Sequence, residues 1–461
     1  MSILTQTNLV PLISLLPPDR LFWSEDERAN FTGDKWARGP LPDVVARPHT
    51  TEEVAIIAHF CFQQNIPLTT RGAGWGYVGG AIASQGGVLL SLDAMNRILD
   101  ISRTDFVAHV EAGALTGDIA RAVREVGLFY PPDPASLDHC TIGGNIATNA
   151  GGPHCLKYGV TRSYVLGLEV VLMDGTVLRL GGDTHKNKTG FDLLGLFVGS
   201  EGMLGIVTQA TLRLLPHPRA RRALAAHFAN IEVAAKAIGA ILESGVLPCA
   251  LEVADAATLR HFRAAQGQIP RVEGSHLLVE VDGLEESVSA EAQLLSQILR
   301  SSGALGCRVA TTEAQVEELW QMRRSFSASL SATGGAKLNE DIVVPRGKLV
   351  ELVAFAEQLG RKHSLEVACF GHAGDGNIHV NLLLDTPLSP QEAGQRAQPA
   401  LDELFAQILS WGGAITGEHG IGLAKARWWP GAVSPEVRHA HAAIKTALDP
   451  KALLNPGKWL E

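Results

Sequence analysis

At 461 residues, with 46% hydrophobic and 19% charged side chains, the chain is too long for one core and has the composition of a globular protein. At about 100–200 residues per domain it divides into two or three. A formal net charge of −9 and a pI near 6.0 leave nothing to draw in nucleic-acid phosphates or an anionic membrane surface.

The apolar stretch from Leu9 to Leu16 lacks a basic flank and runs into Pro17-Pro18, so it does not read as a signal peptide. No window approaches the roughly 18 apolar residues of a membrane span. Residues 1–43 are expected to be a loose, partly helical lead-in. Thr50 followed by Glu53 opens an apolar helix through Phe62. Ile66 to Thr70 is a short strand, and Gly87 to Leu92 another. Short strands and glycine turns continue to about Leu215. The Pro-rich, basic run from Pro216 to Arg222 marks a boundary. Beyond it Ile231 to Ser244 and Ser287 to Ser301 read as helices, and Ala250 to Val253 and Ser275 to Val281 as strands. This rhythm predicts a sheet with helices on one face. Thr386 to Arg396, rich in Pro and Gln, reads as a loop. The tail ending in Asn455-Pro456-Gly457 is expected to dock on another domain. Six scattered cysteines without a C-x-x-C pair predict reduced thiols, a cytoplasmic setting and no Fe–S cluster on this chain.

Two glycine clusters stand out. The loop Arg71-Gly72-Ala73-Gly74-Trp75-Gly76-Tyr77-Val78-Gly79-Gly80 fits G-x-G-x-x-G at Gly74, Gly76 and Gly79. A Rossmann motif must open a helix, however, and here a β-rich segment follows, so a nicotinamide dinucleotide is rejected. What remains is a loop whose backbone N–H groups can converge on an anion such as a pyrophosphate; a surface turn is the plainer alternative. The second cluster, Cys140 to Gly152, is nearly devoid of bulky or charged side chains. It makes sense if a large flat group lies on its backbone. Pro131-Pro132-Asp133-Pro134-Ala135-Ser136 forms a stiff turn before it, and Gly199 to Thr208 ends in a strand after it.

Two further motifs carry chemistry. In His372-Ala373-Gly374-Asp375-Gly376-Asn377-Ile378-His379-Val380-Asn381 a tight turn leads into an alternating strand. His379 and Asn381 share a face, and the turn brings His372 back toward it. Two converging imidazoles suit a borderline divalent metal, although a chain with 16 histidines can place two near a turn by chance. Gly417-Glu418-His419-Gly420-Ile421-Gly422 sets a carboxylate and an imidazole in a glycine-fenced turn. Glu418 could complete a His-His-Glu set, leaving His419 as a base. Imidazole is the side chain whose ordinary ionisation lies near neutrality.

Taken together and in this order, these segments resemble the vanillyl-alcohol oxidase/p-cresol methylhydroxylase superfamily, in the branch of the glycolate oxidase flavin subunit, D-lactate dehydrogenase and D-2-hydroxyglutarate dehydrogenase. The resemblance runs from about Val44 to the C-terminus. It implies an α+β protein with a two-subdomain FAD-binding domain of the p-cresol methylhydroxylase type at 44–218. An α+β, ferredoxin-like substrate or cap domain would follow at 219–415, and a C-terminal segment at 416–461 would return to the FAD domain.

It also implies roles. Arg71, Gly72, Ala73, Gly74, Trp75, Gly76 and Gly79 would hold the FAD pyrophosphate. Pro132, Asp133, Pro134 and Ser136, with Ile142, Gly143, Gly144, Asn145, Thr148, Asn149 and Gly151, would line the isoalloxazine and ribityl chain. Glu201, Gly202, Gly205, Ile206 and Val207 would meet the adenosine side, and Asn455 would add a contact from the tail. Trp75 and Val78 stand where the family often has Thr and Ser, so backbone N–H groups must replace hydroxyl contacts. The first loop has no His to tether the flavin, which implies non-covalent FAD; Cys140 as a tether is the minor alternative to a small buried thiol.

In the same way, His372, His379 and Glu418 would bind zinc or a similar ion and His419 would be the general base. Asn381 would touch the substrate or support a ligand. Arg323 would pair with the substrate carboxylate, with Arg324 as fallback. The hydroxyglutarate enzymes carry a Lys shortly before the strand that here reads Asp341-Ile342-Val343-Val344-Pro345; here Asn339 falls there, with Lys337 two residues away. That favours a monocarboxylate, D-lactate or glycolate, over D-2-hydroxyglutarate. The implied reaction is FAD-dependent oxidation of a small D-2-hydroxy acid to the 2-oxo acid. Electrons would pass to an Fe–S subunit, an electron-transfer flavoprotein, a cytochrome, a quinone or oxygen, and the chain is expected in a homo-oligomer or hetero-complex. A zinc hydrolase would leave both glycine clusters unexplained. A non-catalytic FAD subunit should lack the base and metal motifs.

Overall fold

The structure, a computed structural model, describes residues 12–268 and 274–460; the first eleven residues of the expected lead-in lie outside them. It divides into two units. One comprises Met1–Gly151, Val160–His217 and Glu418–Glu461, the other Gly152–Gly159 and Pro218–Gly417. Among the described residues, no helix is long and apolar enough to cross a membrane.

In the first unit, β1 (Leu21–Phe22), β2 (Val44–Ala46), β3 (Leu68–Arg71) and β4 (Val88–Ser91) form a sheet in the order β1-β2-β4-β3. Its β2-β4 and β4-β3 pairs are parallel. The helix Thr51–Gln64 starts where Thr50 accepts a hydrogen bond from the Glu53 N–H, and stops at Asn65 in a left-handed conformation. Its Val54, Ile57, Ala58 and Cys61 form a core with Val44, Ala46, Leu68, Val88 and Leu90. Leu454 joins this core and pairs with Leu68, so the C-terminal tail docks against β3. A second sheet holds β5 (Ile98–Ser102), β6 (Val107–Glu111), β7 (Val165–Val171), β8 (Val177–Gly181) and β9 (Ile206–Arg213), in the antiparallel order β5-β6-β9-β7-β8.

The second unit is built on β10 (Ala220–Phe228), β11 (Ala250–Ala254), β12 (Ser275–Gly283), β13 (Gly306–Ala310), β14 (Lys337–Val343), β15 (Glu366–His372) and β16 (Asn377–Leu383). They form one antiparallel sheet ordered β13-β10-β12-β11-β15-β16-β14. Helices cover both faces, not one. The reason is legible in β12, which is buried at every position but its last, as a strand covered on both sides must be. On one face Val316, Leu319 and Trp320 of the helix Glu313–Ser331 pack on Ala223, Ala225, Ala250, Leu278 and Ala310. Phe326 and Leu330 of the same helix pack on Ala254, Ala368, Phe370 and Leu383. On the other, Gly360 of the helix Leu349–His363 lies so close to Val367 that a Cβ there would stand 3.1 Å from it. The expected loop at 386–396 is also corrected: Pro390–Ser410 is a helix. Ser389 and Glu392 close a capping box at its start, which outweighs the local Pro and Gln content.

Register decides what the covered faces carry. Glu280 lies opposite Ala250, and Glu252 opposite His372. His372 pairs with Asn377 and Phe370 with His379; Asp341 pairs with His379 and Asn339 with Asn381. Directly opposed residues share a face. The face under the helix Glu313–Ser331 therefore carries Glu280, Glu252, His372, His379, Asp341 and the three asparagines, all set among apolar packing.

Candidate active site

In the first unit the two glycine clusters meet where Gly72 faces Thr141 and Gly144, and Gly143 packs closely on Ala112. A Cβ on Gly72 would fall 2.3 Å from Thr141 Oγ1, and one on Gly143 2.8 Å from Ala112. Around Gly80 the space is open, and a Cβ on Gly76 or Gly144 would make only ordinary contacts, 3.8 Å from Asp34 and 3.4 Å from Thr141 Oγ1. Within the second cluster Ile142–Thr148 is a short helix, whose Gly144 N–H is accepted by Thr141 Oγ1. Such a surface of bare backbone suits a flat cofactor and leaves little for side chains to do.

The polar side chains expected to touch FAD are mostly engaged in fastening these loops. Arg71 is buried and donates to the Gly33 carbonyl at 2.6 Å; burial holds its guanidinium below the usual arginine range. Trp75 stacks on His139 at 4.0 Å, with the Lys35 ammonium 3.6 Å from its ring. Asn145 Nδ2 donates to Thr116 Oγ1 at 2.7 Å, and Thr148 Oγ1 donates to the Gly144 carbonyl. Asn149 Oδ1 accepts the Arg162 N–H, and Ser136 holds Cys140 through its carbonyl. Asn455 accepts the Thr70 N–H at 2.9 Å and donates to the Gly202 carbonyl. Gly205 packs where a Cβ would strike Val170 and Phe197, and Ile206 and Val207 lie in β9. Glu201 accepts the Ile421 and Gly422 N–H groups at 2.9 and 2.7 Å. Burial raises its carboxyl against the lowering effect of those bonds. Glu201 thus holds the second half of the Gly417–Gly422 turn. In the same turn His419 stacks on Tyr77, from the first glycine loop, with ring centroids 4.9 Å apart.

The second unit assembles the other groups on the polar face of its sheet. Glu252, almost fully buried, takes His372 Nδ1 at 2.6 Å on one oxygen and Arg323 Nε at 2.6 Å on the other. Desolvation works to raise this carboxyl, but His372 and Arg323 outweigh it and hold it below the ordinary range. A neutral His372 that donates Nδ1–H to this carboxylate would offer Nε2 to a metal. The His379 ring stands 5.6 Å away at 80°. Arg323 also lies 4.8 Å from the Phe370 ring. Arg324, the fallback, is half exposed and pairs with Glu317.

Asp341, fully buried, accepts from Asn377 Nδ2 at 2.6 Å, and from Thr416 Oγ1 and the Gly417 N–H at 2.9 Å each. Val343 bridges to Ala414. Gly417 has no room for a side chain, since a Cβ would lie 2.4 Å from Asn377 Nδ2. Glu418 follows Gly417 by one peptide bond. Asn381 is fully buried; its Nδ2 donates to the Ala368 and His379 carbonyls, while its Oδ1 and the Oδ1 of Asn339 opposite have no hydrogen-bond partner. Orphaned buried acceptors are rare and mark a place where a bound group is expected. The donor set of two imidazoles and a carboxylate, with a carboxylate behind one imidazole, fits a borderline divalent ion.

Glu252 and Asp341 were not among the residues singled out from sequence. For Glu252 the signal is a single carboxylate inside an apolar strand, Ala250-Leu251-Glu252-Val253-Ala254; Asp341, preceded by Glu340 in Lys337-Leu338-Asn339-Glu340-Asp341-Ile342-Val343, gives no such signal.

A glycine-lined backbone cradle with a polar sheet face rich in His and carboxylate defines a cofactor-dependent enzyme. Comparison with known families places it further. The model described as FAD linked oxidases, C-terminal domain, matches residues 217–459, and the FAD binding domain matches residues 42–181. The chain belongs to the FAD-linked oxidases and is an oxidoreductase. Glycolate oxidase subunit GlcD of Bacillus subtilis is 39% identical over 419 residues, covering 91% of this chain and 89% of that protein. D-lactate dehydrogenase of Anaerostipes hadrus is 34% identical over 453 residues, covering 96% and 95%. The solved structure of p-cresol methylhydroxylase with substrate bound shares the fold, with a TM-score of 0.79 at 19% identity over 99% of this chain and 96% of that one.

Proposed function

We propose that this chain oxidises a small D-2-hydroxy acid, D-lactate or glycolate, to the 2-oxo acid, with FAD held non-covalently and a divalent metal, zinc by its donor set, on His372, His379 and Glu418. The similarity to glycolate oxidase subunit GlcD and D-lactate dehydrogenase points to this substrate class. The observation that carries it is Glu252, which orients an imidazole and a guanidinium together on one face. When bound, FAD supplies the two-electron acceptor and the metal supplies a Lewis acid for the substrate hydroxyl.

The protein's own groups do the rest. Arg323, its Nε fixed on Glu252, offers its terminal amino groups to the substrate carboxylate and sets its orientation. His419, held against Tyr77, takes the hydroxyl proton as C2 loses its hydrogen with the electron pair. Asn381, whose buried Oδ1 has no hydrogen-bond partner, touches the substrate or supports a ligand. A second carboxylate on the substrate would find no cation at Asn339. The Lys337 ammonium is already donated to the Ser327 carbonyl and hydroxyl at 2.9 and 2.7 Å, which favours a monocarboxylate.

A dye-linked screen of 2-hydroxy acids tests the reading. D-Lactate or glycolate should be turned over, the activity should vanish after dialysis against a chelator, and zinc should restore it. Turnover that survives complete removal of divalent metal contradicts the metal assignment, and silence across the whole panel contradicts the substrate class.

A further inference from the structure

The second unit holds another set of metal-type donors that the reaction does not use. His154, Cys249 and Glu280 bring an imidazole nitrogen, a thiol sulfur and a carboxylate oxygen within 4.8 Å of one another. Cys249 and Glu280 are buried, and His154 closes the group with 18% of its side chain exposed.

The His154 contact is long for a charge-assisted hydrogen bond and suits a ligand on an ion, while the Cys249 contact suits either a thiol hydrogen bond or an ion. His154 Nε2 and Cys249 Sγ both face Glu280 Oε1, at 3.5 and 3.6 Å. A charge-assisted N–H···O contact closes to about 2.7–2.9 Å. Around a tetrahedral zinc with ordinary bond lengths, an N···O edge is about 3.4 Å and an S···O edge about 3.6 Å.

The carboxylate is prepared for a single metal bond. Its other oxygen, Oε2, takes the Trp320 indole N–H and stands 3.6 Å from the Arg221 guanidinium. This is how the second oxygen of a metal-bound carboxylate is commonly satisfied. Each donor is fixed independently. The Cys249 N–H donates to the Glu280 carbonyl at 2.8 Å. The segment carrying His154 is pinned to the end of β12, where Lys157 and Tyr158 both donate to Asp282.

We propose that His154, Cys249 and Glu280 form a second divalent-metal site, selective for a borderline ion such as zinc, with a water in the fourth position. Binding replaces the Cys249 S–H bond with a metal–thiolate bond and releases the proton to solvent. The ion would tie three stretches of chain distant in sequence, and it would hold the Gly152–Gly159 segment to the sheet. Nothing in it depends on the assignment of His372, His379 and Glu418.

Cobalt(II) titration of the metal-stripped, FAD-loaded protein tests this, because a thiolate on cobalt gives a near-ultraviolet charge-transfer band that a His-His-Glu site cannot give. The band should appear in the unmodified protein and in His379→Ala, and disappear in Cys249→Ser, with one ion fewer bound per chain by elemental analysis. No band in the unmodified protein, or a band that persists in Cys249→Ser, overturns the proposal. If Cys249→Ser loses its fold, His154→Ala at the rim decides instead: a cobalt affinity at this band weakened at least tenfold supports the site, and an unchanged affinity overturns it.

Discussion

His419→Ala is expected to lower kcat by about two to four orders of magnitude, the usual worth of a positioned general base, while the protein stays yellow. The two halves of this expectation rest on different atoms. The imidazole lies on Tyr77. The turn around it is anchored independently, at Gly417 by Asp341 and at Ile421 and Gly422 by Glu201. Removing the ring should therefore leave the turn and the FAD content in place and delete only proton removal. Steady-state kinetics with flavin absorbance recorded on the same sample checks both, and a variant that retains full activity rules out His419 as the base.

Glu252→Ala should be the most damaging single change on the sheet. It strips the partner from Arg323, whose side chain is only 12% exposed, and breaking a buried ion pair in this way costs about 3–5 kcal/mol. It also frees the His372 ring to rotate or change tautomer. Loss of such a supporting carboxylate weakens metal affinity by about 10–100-fold. Glu252→Gln keeps the shape and separates the effects: a milder loss of stability with most of the loss of metal affinity retained.

The pH dependence has a definite sign. Because the folded Glu252 carboxyl is held below its unfolded value, its pairing contributes stability above the unfolded pKa, and that contribution fades as pH falls through the folded one. Acid unfolding of Glu252→Gln should lack this contribution and start from a lower plateau. Denaturation curves and zinc titrations of the two variants measure these effects; an unaltered zinc affinity in both contradicts the orienting role.

Much of this was legible in the residues because it rests on local rules. Thr50 and Glu53 mark a helix start that the structure realises. The loop after Arg71 runs into a strand, so the Rossmann reading fails on sequence alone. Ile378 to Leu383 alternates as a strand with His379 and Asn381 on one face. What escaped depended on register and tertiary pairing. A lone Glu252 or Glu280 in an apolar strand signals a buried carboxylate, but only pairing across β11, β12 and β15 shows that it meets His372 or Ala250. The capping signal of Ser389 and Glu392 was present in the sequence and was outweighed in the reading by nearby Pro and Gln. The side chains of Arg71, Asn145, Glu201 and Asn455 read as cofactor contacts because of the loops they sit in; their bonds to neighbouring backbone and side chains depend on tertiary pairing that the sequence does not display.

On the proposed function, the glycine-lined FAD cradle and the His-rich sheet face serve one oxidation. Adding D-lactate, and separately glycolate, to the purified zinc-loaded protein without oxygen tests it most directly, with the flavin absorbance as readout. The account predicts rapid bleaching of the yellow colour by at least one of the two acids. A colourless protein that takes up no FAD, or a flavin that stays oxidised in the presence of both acids, would contradict it.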